Sequence, residues 1–397
     1  MTTAVDFNPL SPQFQQEPHG PYRRMRDEAP VHFLDAIGAW GLFRHEDCLH
    51  TLKHPEQFSA RDFMKNAFGE FDPVPETLCM IALDPPDHTR VRKLANRAFT
   101  PAVIRGMKND VEAVISGLLD ETHDLGHEFD FTNDFAARVP ATVTATILGI
   151  EPSVGADFKR WTIDLVQAPS RSVLSEDQLA SMHRSKVEIR EYFTELIAQR
   201  RKTPGKDLIS ALIRAEEDDQ TLTELEILSL LSIMVVGGAE TPSHLIGTTL
   251  WELFDNPDAM AAVKADPEKI DAALEETLRH QSPVHFIFQT AAQDVQMRGI
   301  TIPEGSMAFS FISSANRDER VFSDPDTFDI NRNSRNSHLA FARGPHYCIG
   351  DNLGRLMCSS AVRQALTRMP ELSPVHPDIE WMPSFWIRGP KELRVSY

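Results

Sequence analysis

Residues His338 to Gly350 read HLAFARGPHYCIG, with Phe341, Gly344, His346, Cys348 and Gly350 in that order. A cysteine by itself is most often a small buried hydrophobe. This one is followed by a glycine and then by a helix-forming stretch from about Asp351 to Met369. A helix N-terminus supplies positive potential and free N–H groups, which favour a thiolate, and Gly350 lets those amides come close to the sulfur. The segment therefore predicts a thiolate presented at the start of a helix. The remaining cysteines, Cys48, Cys79 and Cys358, form no CxxC pair and read as free thiols.

Working outward, Thr223 to Asp255 carries an apolar stripe with no turn signal until Asn256-Pro257, and reads as one long helix crossing the core. Inside it stands Gly237-Gly238-Ala239-Glu240-Thr241-Pro242. An interior glycine costs about 1 kcal/mol relative to alanine and a proline about 3, so something other than propensity favours this run. Pro242 has no N–H for the Gly238 carbonyl, and its ring pushes that carbonyl away. The helix is expected to open around residues 238 to 242, where Gly238 leaves room for a flat ligand. The Thr241 hydroxyl and the Glu240 acid flank the opening.

Two further patterns carry charge. Glu276 and Arg279 stand three apart on one helix face, a spacing that is usually a surface ion pair worth under about 1 kcal/mol. In DPPDHTRVRKLANRAFTP, His88 and Arg92 stand four apart and point from one helix face, a geometry suited to a carboxylate.

In this order these segments resemble the cytochrome P450 family, through its FxxGxxxCxG loop, its (A/G)GxxT motif with an acid before the threonine, its ExxR pair and its DPPxHxxxR segment. The resemblance covers nearly the whole chain. It implies a mainly α fold with minor β-sheets, a triangular single domain over residues 1–397 with a long central helix over the haem. It also implies heme b with Cys348 as axial ligand, and His88, Arg92 and His346 as partners of its propionates. Thr241 then hydrogen-bonds the oxygen bound at the iron, and Glu240 belongs to the proton relay. Glu276 and Arg279, closed by Arg332, brace the proximal side. Two positions depart from the family. Ala342 stands where glycine commonly follows the Phe, and is expected to change the loop backbone slightly without affecting ligation. Gln289 stands where an arginine often contacts a propionate.

Strand alternation from residue 289 points His285 and Ile287 toward the haem edge. His285 then either bonds a substrate oxygen or is a core histidine bonded to backbone. Ile233, Val236 and Gly237 on the long helix, with Phe385 near the C-terminus, complete an apolar wall. Such a wall suits a hydrophobic small molecule of medium size or larger, such as a steroid, terpenoid, fatty acyl or polyketide-like skeleton.

Composition narrows the class. The chain has 397 residues, 41% of them hydrophobic and 25% charged, which suits a globular protein with a sizeable core. A net charge of −18 argues against nucleic acid. The first residues have neither a basic nor an apolar leader pattern, and no stretch offers the roughly 18 uninterrupted apolar residues of a membrane span, so a cytoplasmic monomer is expected. With no flavin or iron–sulfur motif, electrons are expected from a separate ferredoxin and ferredoxin reductase, docked through Arg90, Lys93, Arg97, Arg343 and Arg355. The expected activity is insertion of one oxygen atom from O2 by hydroxylation or epoxidation. The alternatives are a peroxide-driven or non-oxidative enzyme of the same fold, and a haem-binding sensor without turnover.

Overall fold

Residues 7–217 and 220–397 are described by the computed structural model. Five strands make its largest sheet: β1 (Val31–Leu34), β2 (Ala39–Leu42), β3 (Phe58–Ser59), β4 (Ile287–Ala291) and β5 (Met307–Ser310), in the order β1-β2-β5-β4-β3. The β1–β2 hairpin pairs Val31 with Leu42 and Leu34 with Ala39, and Gly38 in its turn takes φ +62. A positive φ is cheap for glycine alone. β2 runs parallel to β5, so a crossover through most of the chain separates them.

Helices form the bulk. Those that place the site are α1 (Asp87–Ala98), α2 (Glu224–Gly237), α3 (Glu240–Asp255), α4 (Ile270–His280) and α5 (Asp351–Arg368). A capping box starts α2: the Thr223 hydroxyl accepts from the Glu226 amide at 3.2 Å, and the Glu226 carboxylate accepts from the Thr223 amide at 2.8 Å. Buried residues from α1 to α5 join one large apolar cluster.

The long helix expected from Thr223 to Asp255 is interrupted where the opening was expected: α2 ends at Gly237 and α3 begins at Glu240. Ala239, at φ −111 and ψ −58, departs from ideal helical values at the break while staying in the right-handed region. The cause is Pro242, which leaves the Gly238 carbonyl without an amide donor. The Thr144 hydroxyl takes that carbonyl at 3.4 Å. A Cβ at position 238 would stand 2.6 Å from the Met234 carbonyl, so glycine is needed for the close approach.

By length and hydropathy, Glu224–Asp255 is the one helical stretch among the described residues that fits a bilayer. Its apolar residues, including Leu231, Val235, Leu245 and Leu250, are buried among the other helices, and the break divides it, so it is a core element. The early segment, expected as an irregular loop from Ser59 to Leu83, contains short helices at Phe63–Ala67, Gly69–Phe71 and Met80–Ala82. Burial of Met64, Phe68, Phe71 and Met80 in the main core stabilises them.

Candidate active site around Cys348

The cysteine loop is shaped by its small residues. Gly344 has φ +72, and a Cβ there would meet the Leu52 carbonyl at 2.2 Å. The Ala342 amide donates to the Leu339 carbonyl at 2.8 Å, and the Cys348 amide closes the loop onto the Phe341 carbonyl at 2.9 Å. Ala342 itself sits at φ +59. Alanine here adopts the left-handed conformation and carries a cost of about 1 kcal/mol. The Phe341 ring lies 4.4 Å from the Arg355 guanidinium carbon.

Gly350 caps α5, and its amide hydrogen-bonds the Cys348 sulfur. Burial is nevertheless the largest influence on this thiol and pushes it above its ordinary value, against the lowering by the Gly350 amide and by Arg92. The helix-terminal amide lowers this thiol as expected, while burial works against it.

Across the core, the residues around the break between α2 and α3 are incompletely packed. Ile233, Met234, Val236, Gly238, Glu240, Thr241 and Pro242 are only half-buried and Gly237 is exposed, whereas Leu231, Ser232 and Ser243 are buried. A Cβ added at Gly237 meets nothing within 4 Å. The helix that follows Cys348 reaches this turn directly, because Cys358 Sγ lies 3.6 Å from the Pro242 carbonyl oxygen.

α1 brings His88 and Arg92 to the cysteine loop. The His88 and His346 rings have centroids 4.3 Å apart, and the Nε2 atoms of both are buried without a hydrogen-bond partner. Burial, with repulsion from His346 and Arg92, lowers His88 to about 4. Burial also lowers His346 to about 4, with Arg92 adding to the effect. Arg92 donates from Nε to Asn96 Oδ1 at 3.0 Å, and Cys348 and Asp351 favour its charge against burial. Two unpartnered nitrogens beside an arginine form an incomplete cradle whose missing component is an anion.

The proximal polar groups are, by contrast, fully engaged. Arg279 Nη2 and Nε donate to the Glu276 carboxylate at 2.6 and 2.9 Å, with both side chains completely buried. Its other donors reach the carbonyls of Asn316, Pro325 and Thr327. Arg332 Nε donates to Glu276 Oε1 at 3.2 Å. The pair is thus buried and not the surface ion pair that its spacing commonly produces.

A second network beside it was missed in the sequence. Glu275 accepts from Arg355 Nε and pairs with His338 Nε2 at 3.0 Å, while Arg355 Nη1 donates to Asp351 at 2.6 Å. Burial pushes Glu275 up, but the hydrogen bonds from His338 and Arg355 outweigh it and leave it at about 2. The only local signal was the doublet Glu275-Glu276, which offers two acids to two faces of α4. Arg355, 11% exposed and tied to Glu275, is therefore corrected as a docking cation, while Arg90 donates to the Glu226 carboxylate with 37% of its side chain exposed.

A family model described as Cytochrome P450 matches residues 33–369. The chain belongs to the cytochrome P450 family. It is 36% identical over 415 residues to cytochrome P450 107B1 of Saccharopolyspora erythraea, covering all of this chain and 99% of that one. It is 34% identical to the polyketide biosynthesis cytochrome P450 PksS of Bacillus subtilis, with 98% of both chains covered. Among solved structures, cytochrome P450 CYP109Q5 from Chondromyces apiculatus superposes with a TM-score of 0.91 at 32% identity, over 99% of this chain and 98% of that one.

The protein therefore has the P450 fold and is a haem-dependent monooxygenase. Its own residues fit the cofactor: the unpartnered His88 and His346 nitrogens suit haem propionates, and the open space beside Gly237 suits a flat ring.

Three expected wall residues lie elsewhere or differ in surroundings. His285 is 1% exposed and its Nδ1 pairs with the Tyr22 hydroxyl at 2.8 Å, so it is a core histidine and not a pocket residue. Burial lowers it to about 3. The alternation argument failed because β4 begins only at Ile287, after a bend fixed by the His285 amide on the Trp386 carbonyl. Ile287 is half-buried against the cluster under the sheet. Phe385 stacks on Phe286 at 5.3 Å as part of the aromatic cluster around Tyr22. Gln289 donates to the Phe58 carbonyl at 2.7 Å, which turns its amide away from any propionate role.

Proposed function

We propose that this P450 hydroxylates or epoxidises an apolar substrate of medium size or larger, of steroid, terpenoid, fatty acyl or polyketide type, using electrons from a separate ferredoxin and its reductase. The observation that carries this reading is the broken turn at Gly238–Ala239, beside which Ile233, Val236, Gly237, Glu240 and Thr241 are left unburied or only half-buried. Apolar side chains supply area there and few polar groups fix orientation, so shape governs selection. The likeness to a polyketide biosynthesis P450 supports that end of the substrate range.

In this reading Cys348 provides the thiolate ligand, and His88, Arg92 and His346 hold the propionates. When bound, the haem supplies the activation of O2 by two electrons. Thr241 orients a hydrogen bond at the opening, and Glu240 holds a proton one residue away and releases it toward that hydroxyl. The Glu276–Arg279–Arg332 cluster fixes the segment that leads into the cysteine loop. Lys93 and Arg97, exposed on α1, with Arg90 and with Arg343, stacked 5.7 Å over Tyr347, offer positive charge to an acidic ferredoxin.

The test combines a screen with a variant. Compounds of the four classes are examined for a low-spin to high-spin change of the haem spectrum, and those that give it are turned over with ferredoxin. Thr241→Ala is expected to keep the ferrous carbonyl spectrum and lose at least about tenfold in product per electron pair, with peroxide formed instead. A Thr241→Ala protein that retains full coupling removes Thr241 from the relay.

A further inference from the structure

Outside the cradle formed by His88 and His346, the histidines held inside the described core have hydrogen-bond partners, except His244. His285 pairs with Tyr22, His338 with Glu275, His280 with Glu252, and His45 with the Ser337 carbonyl. His244 is 5% exposed, and both of its ring nitrogens are buried with no hydrogen-bond partner. Among the described residues no other histidine has both nitrogens in that condition.

Its position is specific. His244 lies one turn beyond Glu240 on α3, with Nε2 3.7 Å from Glu240 Oε1. One turn further, the Thr248 hydroxyl is buried and also without a partner. Residues 240, 244 and 248 share one helix face. The Thr132 hydroxyl, unpartnered as well, lies 3.4 Å from where a Cβ on Gly247 would stand.

The C-terminal segment makes room for the ring: a Cβ on residue 389 would meet His244 Nδ1 at 2.1 Å, so Gly389 is what admits the imidazole. Its neighbour Arg388 directs its guanidinium away, to Gln281 and to the carbonyls of Gln15 and Gln16. Unpartnered buried polar atoms are rare and point to ordered water or to a role in proton or ligand handling. A row of them that ends at a half-buried carboxylate points to proton handling.

We propose that His244 reloads Glu240 with protons, forming with Thr248 and Thr132 a water-linked path on the side of Glu240 away from Thr241. The imidazolium gives a proton to the Glu240 carboxylate, leaving neutral imidazole and a neutral acid. Glu240 passes the proton toward Thr241 and returns to carboxylate, and the imidazole regains a proton from solvent water. No bond other than these N–H and O–H bonds changes. The inference rests on the relay reading of Glu240 above.

The test uses the holoenzyme with ferredoxin and a substrate found by the spin-state screen. His244→Phe fills the space without carrying a proton, and His244→Gln hydrogen-bonds without titrating. Both are expected to keep the ferrous carbonyl spectrum, to lose about tenfold in product per electron pair, and to show a solvent deuterium isotope effect about twofold larger than wild type. Infrared difference spectra of the ferrous carbonyl protein with isotope-labelled glutamate are expected to show a carboxyl band that shifts in His244→Phe. If Glu240→Gln uncouples turnover while both His244 variants match wild type in coupling, isotope effect and infrared band, His244 is packing alone and this inference is overturned. If Glu240→Gln also stays coupled, the relay reading itself fails. Should His244→Phe not bind haem, the His244→Gln protein decides by the same measurements, and wild-type values there overturn the carrier role.

Discussion

Beside the cysteine loop, between α4 and α5, Glu275, Glu276, Arg279, Arg332 and Arg355 are joined in hydrogen-bonded ion pairs, whereas along α3 His244 and Thr248 hold buried atoms with no partner. Both regions are buried, so both feel the same low dielectric, which strengthens satisfied networks and penalises unsatisfied groups. On the proximal side the result is a fixed platform. Arg279 alone ties Glu276 to three carbonyls of the irregular segment between residues 316 and 327. On the distal side the helix is interrupted, a carbonyl is left for Thr144, and side chains that could have been apolar are polar. Structure is held where polar groups are paired, and proton chemistry is possible where they are not.

Breaking the platform is expected to have the largest effect. Arg279→Ala leaves the completely buried Glu276 carboxylate without its main partner, and loss of about 3–5 kcal/mol of stability is expected by chemical denaturation. An exposed-pair effect of under about 1 kcal/mol would erase the contrast between the two faces.

The second prediction uses pH. Glu275 lies at about 2 in the folded protein against an ordinary 4.5, so its folded value is depressed. Its contribution is fully present above pH 4.5 and is lost as pH falls from 4.5 through about 2. For this mostly buried acid the total amounts to at most about 3 kcal/mol. Glu275→Gln is expected to flatten that part of the acid limb of the stability curve. An unchanged acid limb would show that the Glu275–His338–Arg355 contact does not hold the two helices together.

The smallest effect belongs to the cysteine loop. Ala342→Gly relieves a left-handed alanine and is expected to raise stability by at most about 1 kcal/mol, with the ferrous carbonyl band unmoved. A drop in the thermal midpoint would mean that packing of the Ala342 methyl in its apolar cluster outweighs the backbone cost.

Much of the site was legible because its signals are local. Pro242 lacks an N–H whatever surrounds it, so the opened turn could be placed to within a few residues. The i, i+3 spacing put Glu276 and Arg279 on one face, and the same logic joined His88 to Arg92. Less legible was Ala342, whose neighbours require a left-handed backbone that the residue type does not announce. Length and apolarity suggested one helix where the missing hydrogen bond makes two.

Proline geometry, the absence of a glycine side chain and helical spacing are properties of the chain itself, and with them came the cysteine loop, the interrupted helix and the acid–arginine pair. The surroundings of His285 were of another kind: its partner Tyr22 is 263 positions away, and the bend that turns it inward depends on Trp386. Arg355 met Glu275 across 80 positions, and His244 found space only because Gly389 folds over it. Contacts over such separations leave no local pattern, because they arise from the packing of whole helices and strands, and that packing settles which polar groups are paired and which stay open to chemistry.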